Sequence, residues 1–117
     1  MPKDWIDLVK EFNAAYDIKT PCRTDRDIDL QFELIAEEYD ELCNAENYVE
    51  GLDAIADLIY VLIGLALKAG FDLDGAFREV HRSNMSKLGA DGKPLYREDG
   101  KILKGPNFTP PNLDAYI

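Results

Sequence analysis

An apolar stripe with helical spacing runs through the second quarter of the chain, and acidic residues lie inside it. Five apolar side chains alternate steps of four and three positions, the spacing of a buried helix face: Ile28, Phe32, Ile35, Tyr39 and Leu42. From Asp27 to Leu67 the chain contains no lysine or arginine. Like charges three or four positions apart on a helix destabilise it unless they are compensated, and no cation lies nearby in the sequence.

Periodicity and capping residues predict four helices and an all-α fold. Asp4 is a candidate N-cap, Asp27 is placed for a capping box after Thr24, and Gly70 is a candidate helix stop. The predicted helices cover about 4–16, 24–43, 49–69 and 74–87. Residues 88–117 are rich in Gly, Pro, Asp and Lys, which predicts an irregular tail with one short hairpin. We therefore predict a single domain over 1–117, with a helical part (about 4–87) and a tail (about 88–117).

Composition limits the class of protein. A formal net charge of −10 disfavours binding to nucleic acid or to an anionic membrane, and a hydrophobic fraction of 46% argues against disorder. The longest apolar run, 58–67, is about half of what a bilayer requires, so we predict a buried helix there. No secretory signal precedes the first helix, and Cys22 and Cys43 have no metal or redox spacing, so we expect reduced thiols and a cytoplasmic location.

On a helical projection, with successive residues about 100° apart, the acids take defined positions. Glu38 falls inside the apolar arc of the second helix, and Glu41 lies at its edge. On the third helix one arc roughly 60° wide holds three acids, and Tyr60 and Gly64 continue its line: Glu50, Asp53 and Asp57. A short link makes the two helices antiparallel neighbours, so the two acidic stripes can face each other.

Two interpretations of these acids are open. Charge runs on helices are commonly solvated faces. A carboxylate inside an apolar arc must instead be paired, protonated or bound to a metal, and no cation is near in sequence. Oxygen ligands without imidazole or thiolate suit a hard cation, Mg²⁺ or Mn²⁺. The single histidine, His81, lies on another helix, where we expect a surface or packing role.

Several segments resemble the all-α nucleoside-triphosphate pyrophosphohydrolases, the superfamily that contains MazG and phosphoribosyl-ATP pyrophosphohydrolase. Its Glu-x-x-Glu and Glu-x-x-Asp motifs are matched by "EYDE" (Glu38, Glu41) and "EGLD" (Glu50, Asp53), the latter extended by "AIADLIYVLIG". The most specific likeness, to the compact phosphoribosyl-ATP-pyrophosphohydrolase-like branch, is "RSNMSKLGADGKPLYREDGKILKGPNFTPPNL". In "EFNAAYDIKTP", Asn13 stands where the related segment often has His.

The resemblance implies hydrolysis of a (deoxy)nucleoside triphosphate to the monophosphate and pyrophosphate. It also implies a MazG-like bundle, Mg²⁺ (or Mn²⁺) held by the four motif acids, and a homodimer or dimer of dimers. A third helix that is apolar on most of its circumference independently favours oligomerisation. Glu37 and Glu38 are the candidate catalytic residues, with Glu37 as an outer ligand or the base that takes a proton from water. Asp57 either orients a water or a ligand, or makes a structural hydrogen bond.

Candidate substrate-binding residues lie at both ends of the chain. Asn13 can donate to and accept from a base edge, and Trp5, Phe12 or Tyr16 could stack, although aromatics at helical spacing are more often core. The segment 78–104 is locally cationic. We assign phosphate contacts there, with ordinary solvation as the alternative, to Lys87, Arg97 and Lys104, and polar contacts to Asn84 and Asn107. Glycines in the tail would let it close over a bound nucleotide.

Other classes of protein fit parts of the pattern. An acidic adaptor or DNA mimic would carry its acids on outward faces, whereas Glu38 lies in an apolar arc. A catalytically silent nucleotide sensor would keep the pocket and lack pyrophosphate release. Activity of the phosphoribosyl-ATP pyrophosphohydrolase type is the nearest enzymatic alternative.

Overall fold

The computed structural model describes residues 4–117 and has the predicted all-α architecture. Its elements are α1 Trp5–Ala15, α2 Asp25–Cys43, α3 Tyr48–Ala69, α4 Leu73–Met85 and a 3₁₀ helix Asp114–Tyr116. The described residues contain no strand, only an isolated antiparallel bridge between Tyr96 and Ile102, which closes the predicted short hairpin. The all-α class and four helices are thus confirmed, and completion of the bundle by oligomerisation stays a prediction.

The predicted helix boundaries follow from capping groups that the structure contains. Asp4 caps α1 by accepting the N–H of Asp7 at 2.9 Å, and Gly70 ends α3 in the left-handed region at φ 77°. Thr24 caps α2 by accepting the N–H of Asp27 at 3.2 Å. The carboxylate of Asp27 does not complete a capping box on the Thr24 backbone. It accepts instead from the Thr24 hydroxyl and from the Cys22 thiol.

The chain divides after Phe71 into two compact units. The sequence had instead predicted a boundary near residue 88, where the helical pattern gives way to the tail. The prediction of one domain stays a prediction. In the first unit both α1 and α2 pack against α3. Its apolar core is formed by small and branched side chains of α1 and α3: Val9, Ala54, Ile63, Ala66 and Ala69.

The predicted stripe of α2 is only partly covered. Ile28, Ile35 and Leu42 are half-buried, while Phe32 and Tyr39 are 54% and 58% exposed. Within this unit α2 packs mainly on α3, so one neighbouring helix cannot cover the full width of its stripe. Among the described residues no single helix is long and apolar enough to cross a membrane. The bent pair formed by α3 and α4 would be long and apolar enough, judged by length and composition alone.

In the second unit, ion pairs and hydrogen bonds hold the C-terminal segment on α4. The Glu79 carboxylate accepts from the Arg82 guanidinium at 2.7 and 2.9 Å, and from the backbone N–H of Asn112 at 2.7 Å. Arg82 also donates to the hydroxyl of Thr109 at 2.6 Å. Arg82 first, and then the Asn112 N–H, lower the pKa of Glu79 to about 2 from its usual 4.5. The ionised form of Glu79 is therefore the one that binds the segment.

Acid should release this segment. Because the folded-state pKa of Glu79 is depressed, its contribution is present above pH 4.5 and is lost as pH falls toward about 2. Glu79→Ala should have the same effect at neutral pH that acid has on the native protein. We expect a lower hydrogen-exchange protection factor at the Asn112 amide, measured by NMR. Asp74→Asn is the matched control, since Asp74 pairs with Arg78 on the exposed side of α4. Equal protection in Glu79→Ala and the native protein would refute this role.

Candidate functional site

Three carboxylates of the first unit converge between α2 and α3. Glu38 and Glu41 lie one turn apart on α2, and Asp57 lies on α3. One oxygen from each carboxylate lies within 4.8 Å of the others, which is close enough to share a metal ion. The sequence placed Glu38 and Glu41 correctly on the face of α2 that turns toward α3.

Glu38 is the most constrained member of this carboxylate group. It is half-buried, and its Oε2 atom has no hydrogen-bond partner within the described part of the chain. Burial raises the pKa of Glu38, and so do the charges of Glu41 and Asp57, then a side-chain hydrogen bond with Glu41 and the charge of Asp53. Within residues 4–117 no lysine or arginine forms an ion pair with the carboxylate group; the ion pairs there lie in the second unit. A buried anionic oxygen without a partner is costly unless a cation binds it.

The composition of the group differs from the predicted metal set. Asp57, predicted to orient a water or a ligand, belongs to it, and Asp53 acts on Glu38 through its charge. Glu50 lies outside the group. Its carboxylate accepts the backbone N–H of Glu46 at 2.9 Å, and its own N–H donates to the side chain of Asn47, the N-cap of α3. Glu50 is therefore a helix-capping residue in this structure, for which the spacing Asn47–Glu50 is the signal in the sequence.

Glu37 is exposed on α2, next to Glu38 in the sequence. No contact in the structure tests its predicted role as base or outer ligand.

A cavity of about 570 Å³ lies in the same unit, between α1, α2 and α3. Asn13 is buried and lines this cavity, as does Phe12. Trp5 lies outside it, in a second, apolar groove of about 380 Å³ between α1 and α3. Tyr16 is exposed and contacts the Phe12 ring at 4.5 Å between centroids. Of the predicted base-contacting residues, Asn13 and Phe12 thus share one cavity, and Trp5 and Tyr16 do not line it.

Two buried polar residues of this cavity were not predicted from the sequence. Gln31 and Lys68 line it and are 5% and 8% exposed. Gln31 donates from Nε2 to the backbone oxygen of Val61 at 2.7 Å, and Lys68 donates from Nζ to the backbone oxygen of Asp27 at 3.1 Å. A signal existed for Gln31, which is a polar residue three positions after Ile28, on the apolar face of α2.

The five candidate phosphate-binding residues lie in the second unit. Arg97 is held by the carboxylate of Asp99, with one contact at 2.9 Å from Nε, and the Lys104 ammonium lies 4.8 Å from the centroid of the Phe108 ring. Lys87 accepts the N–H of Gly105 on its backbone oxygen at 2.8 Å, which brings 87 and 105 together. Asn84 and Asn107 are exposed, as is His81. These contacts leave the predicted phosphate-binding role of the segment untested.

Comparison with known proteins identifies the family. The profile of the family described as phosphoribosyl-ATP pyrophosphohydrolase matches residues 9–84, which include α2, α3 and the carboxylate group. The chain belongs to the phosphoribosyl-ATP pyrophosphohydrolase family. It is therefore a member of the all-α NTP pyrophosphohydrolase superfamily, as the motifs predicted. Membership supports, at the level of the family, a pyrophosphohydrolase that acts on nucleotides.

Structural comparison agrees with this fold. A crystal structure from Exiguobacterium sp. 255-15, provisionally described as an NTP pyrophosphohydrolase, matches with a TM-score of 0.51 and 23% sequence identity. The match covers 95% of this chain and 90% of that one. At this identity the likeness shows the fold alone. A search of curated proteins found no significant match.

Proposed function

We propose that this phosphoribosyl-ATP pyrophosphohydrolase family member hydrolyses a (deoxy)nucleoside triphosphate to the monophosphate and pyrophosphate in a Mg²⁺-dependent reaction. The observation that carries the proposal is the convergence of Glu38, Glu41 and Asp57 around a buried carboxylate oxygen that has no partner in residues 4–117. Such a group attracts a divalent cation, and a polyphosphate is the nucleotide moiety that binds one most readily.

The residues present fit a hard divalent cation. They offer only carboxylate oxygens, the ligands that Mg²⁺ and Mn²⁺ prefer, and burial together with the charges of Glu41 and Asp57 disfavours ionised Glu38 until a cation binds. Glu38, Glu41 and Asp57 would hold the ion, and Asp53 adds a fourth negative charge nearby. When bound, the ion supplies charge neutralisation on the phosphate oxygens.

The other side chains have separate proposed roles in the hydrolysis. Water attacks the α-phosphorus, a new oxygen–phosphorus bond forms, and the bond to the bridging oxygen breaks to release pyrophosphate. Glu37 is the proposed acceptor of the water proton, because it is exposed and adjacent to Glu38 in the sequence. Asn13, buried at the cavity wall, is the proposed contact to the base.

The cationic residues of the second unit remain our proposed phosphate ligands: Lys87, Arg97 and Lys104, with Asn84 and Asn107 as polar partners. Arg97 would exchange its contact with Asp99 for a phosphate, since a guanidinium binds either anion with the same pair of donors.

We also propose a homo-oligomer, a dimer or a dimer of dimers. Support comes from apolar side chains at the start of α3 that one chain leaves exposed, with Tyr48 98% exposed and Val49, Leu52 and Ile55 exposed along the same helix. Contiguous apolar surface of this kind is typical of protein interfaces.

The test is a pyrophosphate-release assay of the purified protein against all common NTPs and dNTPs with Mg²⁺. We expect release from at least one nucleotide, its loss on chelation of the metal, recovery with Mn²⁺, and poor recovery with Ca²⁺, which takes looser coordination. Absence of pyrophosphate from every nucleotide would contradict the proposal.

Phosphoribosyl-ATP is the second candidate substrate, and the family match over residues 9–84 favours it. Including this compound in the same panel decides between the two candidates by the ratio of kcat/KM.

A further inference from the structure

The cavity between α1, α2 and α3 is built to hold a largely uncharged ligand. Its charged lining is balanced, with two acids and two lysines: Asp17, Asp27, Lys19 and Lys68. The Cys22 thiol and the Thr24 hydroxyl both donate to Asp27. The rest of the wall is mainly apolar and includes the Phe12 and Tyr60 rings, which meet edge to face at 5.6 Å. Balanced charge with aromatic walls suits a nucleobase better than a phosphate group.

The cavity lies next to the carboxylate group along both α2 and α3. On α2, Gln31 and Leu34 line the cavity, and Glu38 follows Leu34 by one turn on the same face. On α3, Tyr60 lines the cavity and lies one turn after Asp57. Glu38 lies seven positions after Gln31, a rise of about 10 Å along the helix. A nucleotide with its base in the cavity would thus direct its phosphates along α2 and α3 toward the carboxylates.

Hydrogen bonding fixes which atom Gln31 offers to a ligand. The backbone oxygen of Val61 can only accept, so the Gln31 atom 2.7 Å from it must be the amide nitrogen. The amide oxygen of Gln31 accepts no hydrogen bond within residues 4–117 and is the group left for a ligand. Gly64 makes this arrangement possible, since a Cβ there would lie 2.6 Å from Nε2.

A second amide lines the same cavity without a partner. Asn13 is 8% exposed, and its side chain makes no hydrogen bond in the described part of the chain. Neither atom of this amide is fully enclosed, so both remain accessible to a ligand in the cavity. Asn13 can donate to a ring nitrogen while the oxygen of Gln31 accepts from an amino group. The complementary ligand edge is an exocyclic amino group beside an unprotonated ring nitrogen, as in cytosine and adenine.

We propose that this cavity is the base subsite and that Gln31 is a specificity residue that selects cytosine- or adenine-type bases over uracil and thymine. Uracil and thymine present a carbonyl oxygen where cytosine has its amino group. That carbonyl would face the amide oxygen of Gln31 and leave a buried acceptor unpaired. The inference rests on the proposed function and adds the class of base to it.

The test combines turnover with nucleoside binding. With Mg²⁺ and the full chain, we expect kcat/KM for dCTP or dATP to exceed that for dUTP and dTTP by at least about fivefold, the lower end for one unpaired buried acceptor. Gln31→Met, which keeps the buried volume, should bring this ratio close to one, mainly through KM. Glu33→Gln, on an exposed position of the same helix, is the matched control and should keep the native ratio.

Calorimetry of deoxycytidine, deoxyadenosine and deoxyuridine provides a readout independent of hydrolysis, and the native protein alone suffices if Gln31→Met does not fold. Preferential binding of the amino-bearing nucleosides supports the inference even if no nucleotide is hydrolysed, in which case only the proposed function fails. Hydrolysis with equal kcat/KM for dCTP, dATP, dUTP and dTTP, or an unchanged ratio in Gln31→Met, would overturn the inference and leave the proposed function standing.

Discussion

Replacing Glu38 by Gln is expected to lower kcat/KM for pyrophosphate release by roughly 100-fold or more, because it removes a proposed metal ligand at the centre of the carboxylate group. Gln keeps the size and one oxygen of Glu38 but not its charge. The fold should survive, since Oε2 of Glu38 makes no hydrogen bond in residues 4–117 that the substitution would break. The measurement is a steady-state assay on the best nucleotide, with circular dichroism as the check on folding.

Glu50→Gln is the matched control for Glu38→Gln. In this structure the Glu50 carboxylate accepts the N–H of Glu46, and the amide oxygen of Gln can accept the same bond. Activity should therefore remain close to that of the native protein. If Glu50→Gln and Glu38→Gln lose activity equally, the assignment of Asp57 rather than Glu50 to the metal would be wrong.

Gly64→Ala is expected to destabilise the protein by about 1–3 kcal/mol, because the added Cβ would lie 2.6 Å from Nε2 of the buried Gln31. To make room, Gln31 must give up its hydrogen bond to Val61 or α2 must move away from α3. Either change widens or distorts the cavity, so KM should rise as well. Chemical denaturation and steady-state kinetics measure the two effects.

A substitution at a second glycine of α3 controls for the general effect of replacing Gly by Ala in a helix. Gly51 has open space around it, with the nearest atom 4.0 Å from an added Cβ. Gly51→Ala should therefore stabilise the protein by about 0.5–1 kcal/mol, because Ala loses less chain entropy in a helix. If Gly64→Ala stabilised the protein as Gly51→Ala should, the close approach of α2 to α3 at Gln31 would be refuted.

Local features of the fold could be predicted from the sequence because each depends on neighbouring residues. Asp4, Thr24 and Gly70 act within one turn of a helix, so their identity and spacing are enough to place a helix end. Glu38 was placed correctly for a similar reason. Its position in an apolar arc follows from helical geometry alone, and that arc had to face protein.

The membership of the carboxylate group was harder to predict because it depends on the register between two helices. Glu50, Asp53 and Asp57 share one arc of α3, so periodicity alone cannot say which of them lies opposite Glu38. The packing of α2 on α3 decides this. It brings Asp57 to Glu38 and Glu41, and leaves Glu50 at the helix start, where it caps the chain.

The cavity could not be predicted for the same physical reason. Gln31 and Lys68 are far apart in sequence, and nothing in the pattern around either residue connects it with the other. They line one space only after three helices have packed, and Gly64 allows the close approach that buries Gln31. Exposure of Phe32 and Tyr39 was missed because α2 has one main helical neighbour in its unit.

The central claim is that Glu38 belongs to a carboxylate group whose repulsion a divalent cation relieves. The most direct test is thermal unfolding of the native protein and Glu38→Gln near neutral pH, with and without millimolar Mg²⁺. Burial and the acids around it raise the pKa of Glu38, so its charge destabilises the fold as pH rises above the usual 4.5. Without metal, Glu38→Gln should unfold at the higher temperature, and Mg²⁺ should raise Tm more for the native protein. A lower Tm for Glu38→Gln without metal, together with equal Mg²⁺ shifts for both proteins, would contradict the claim.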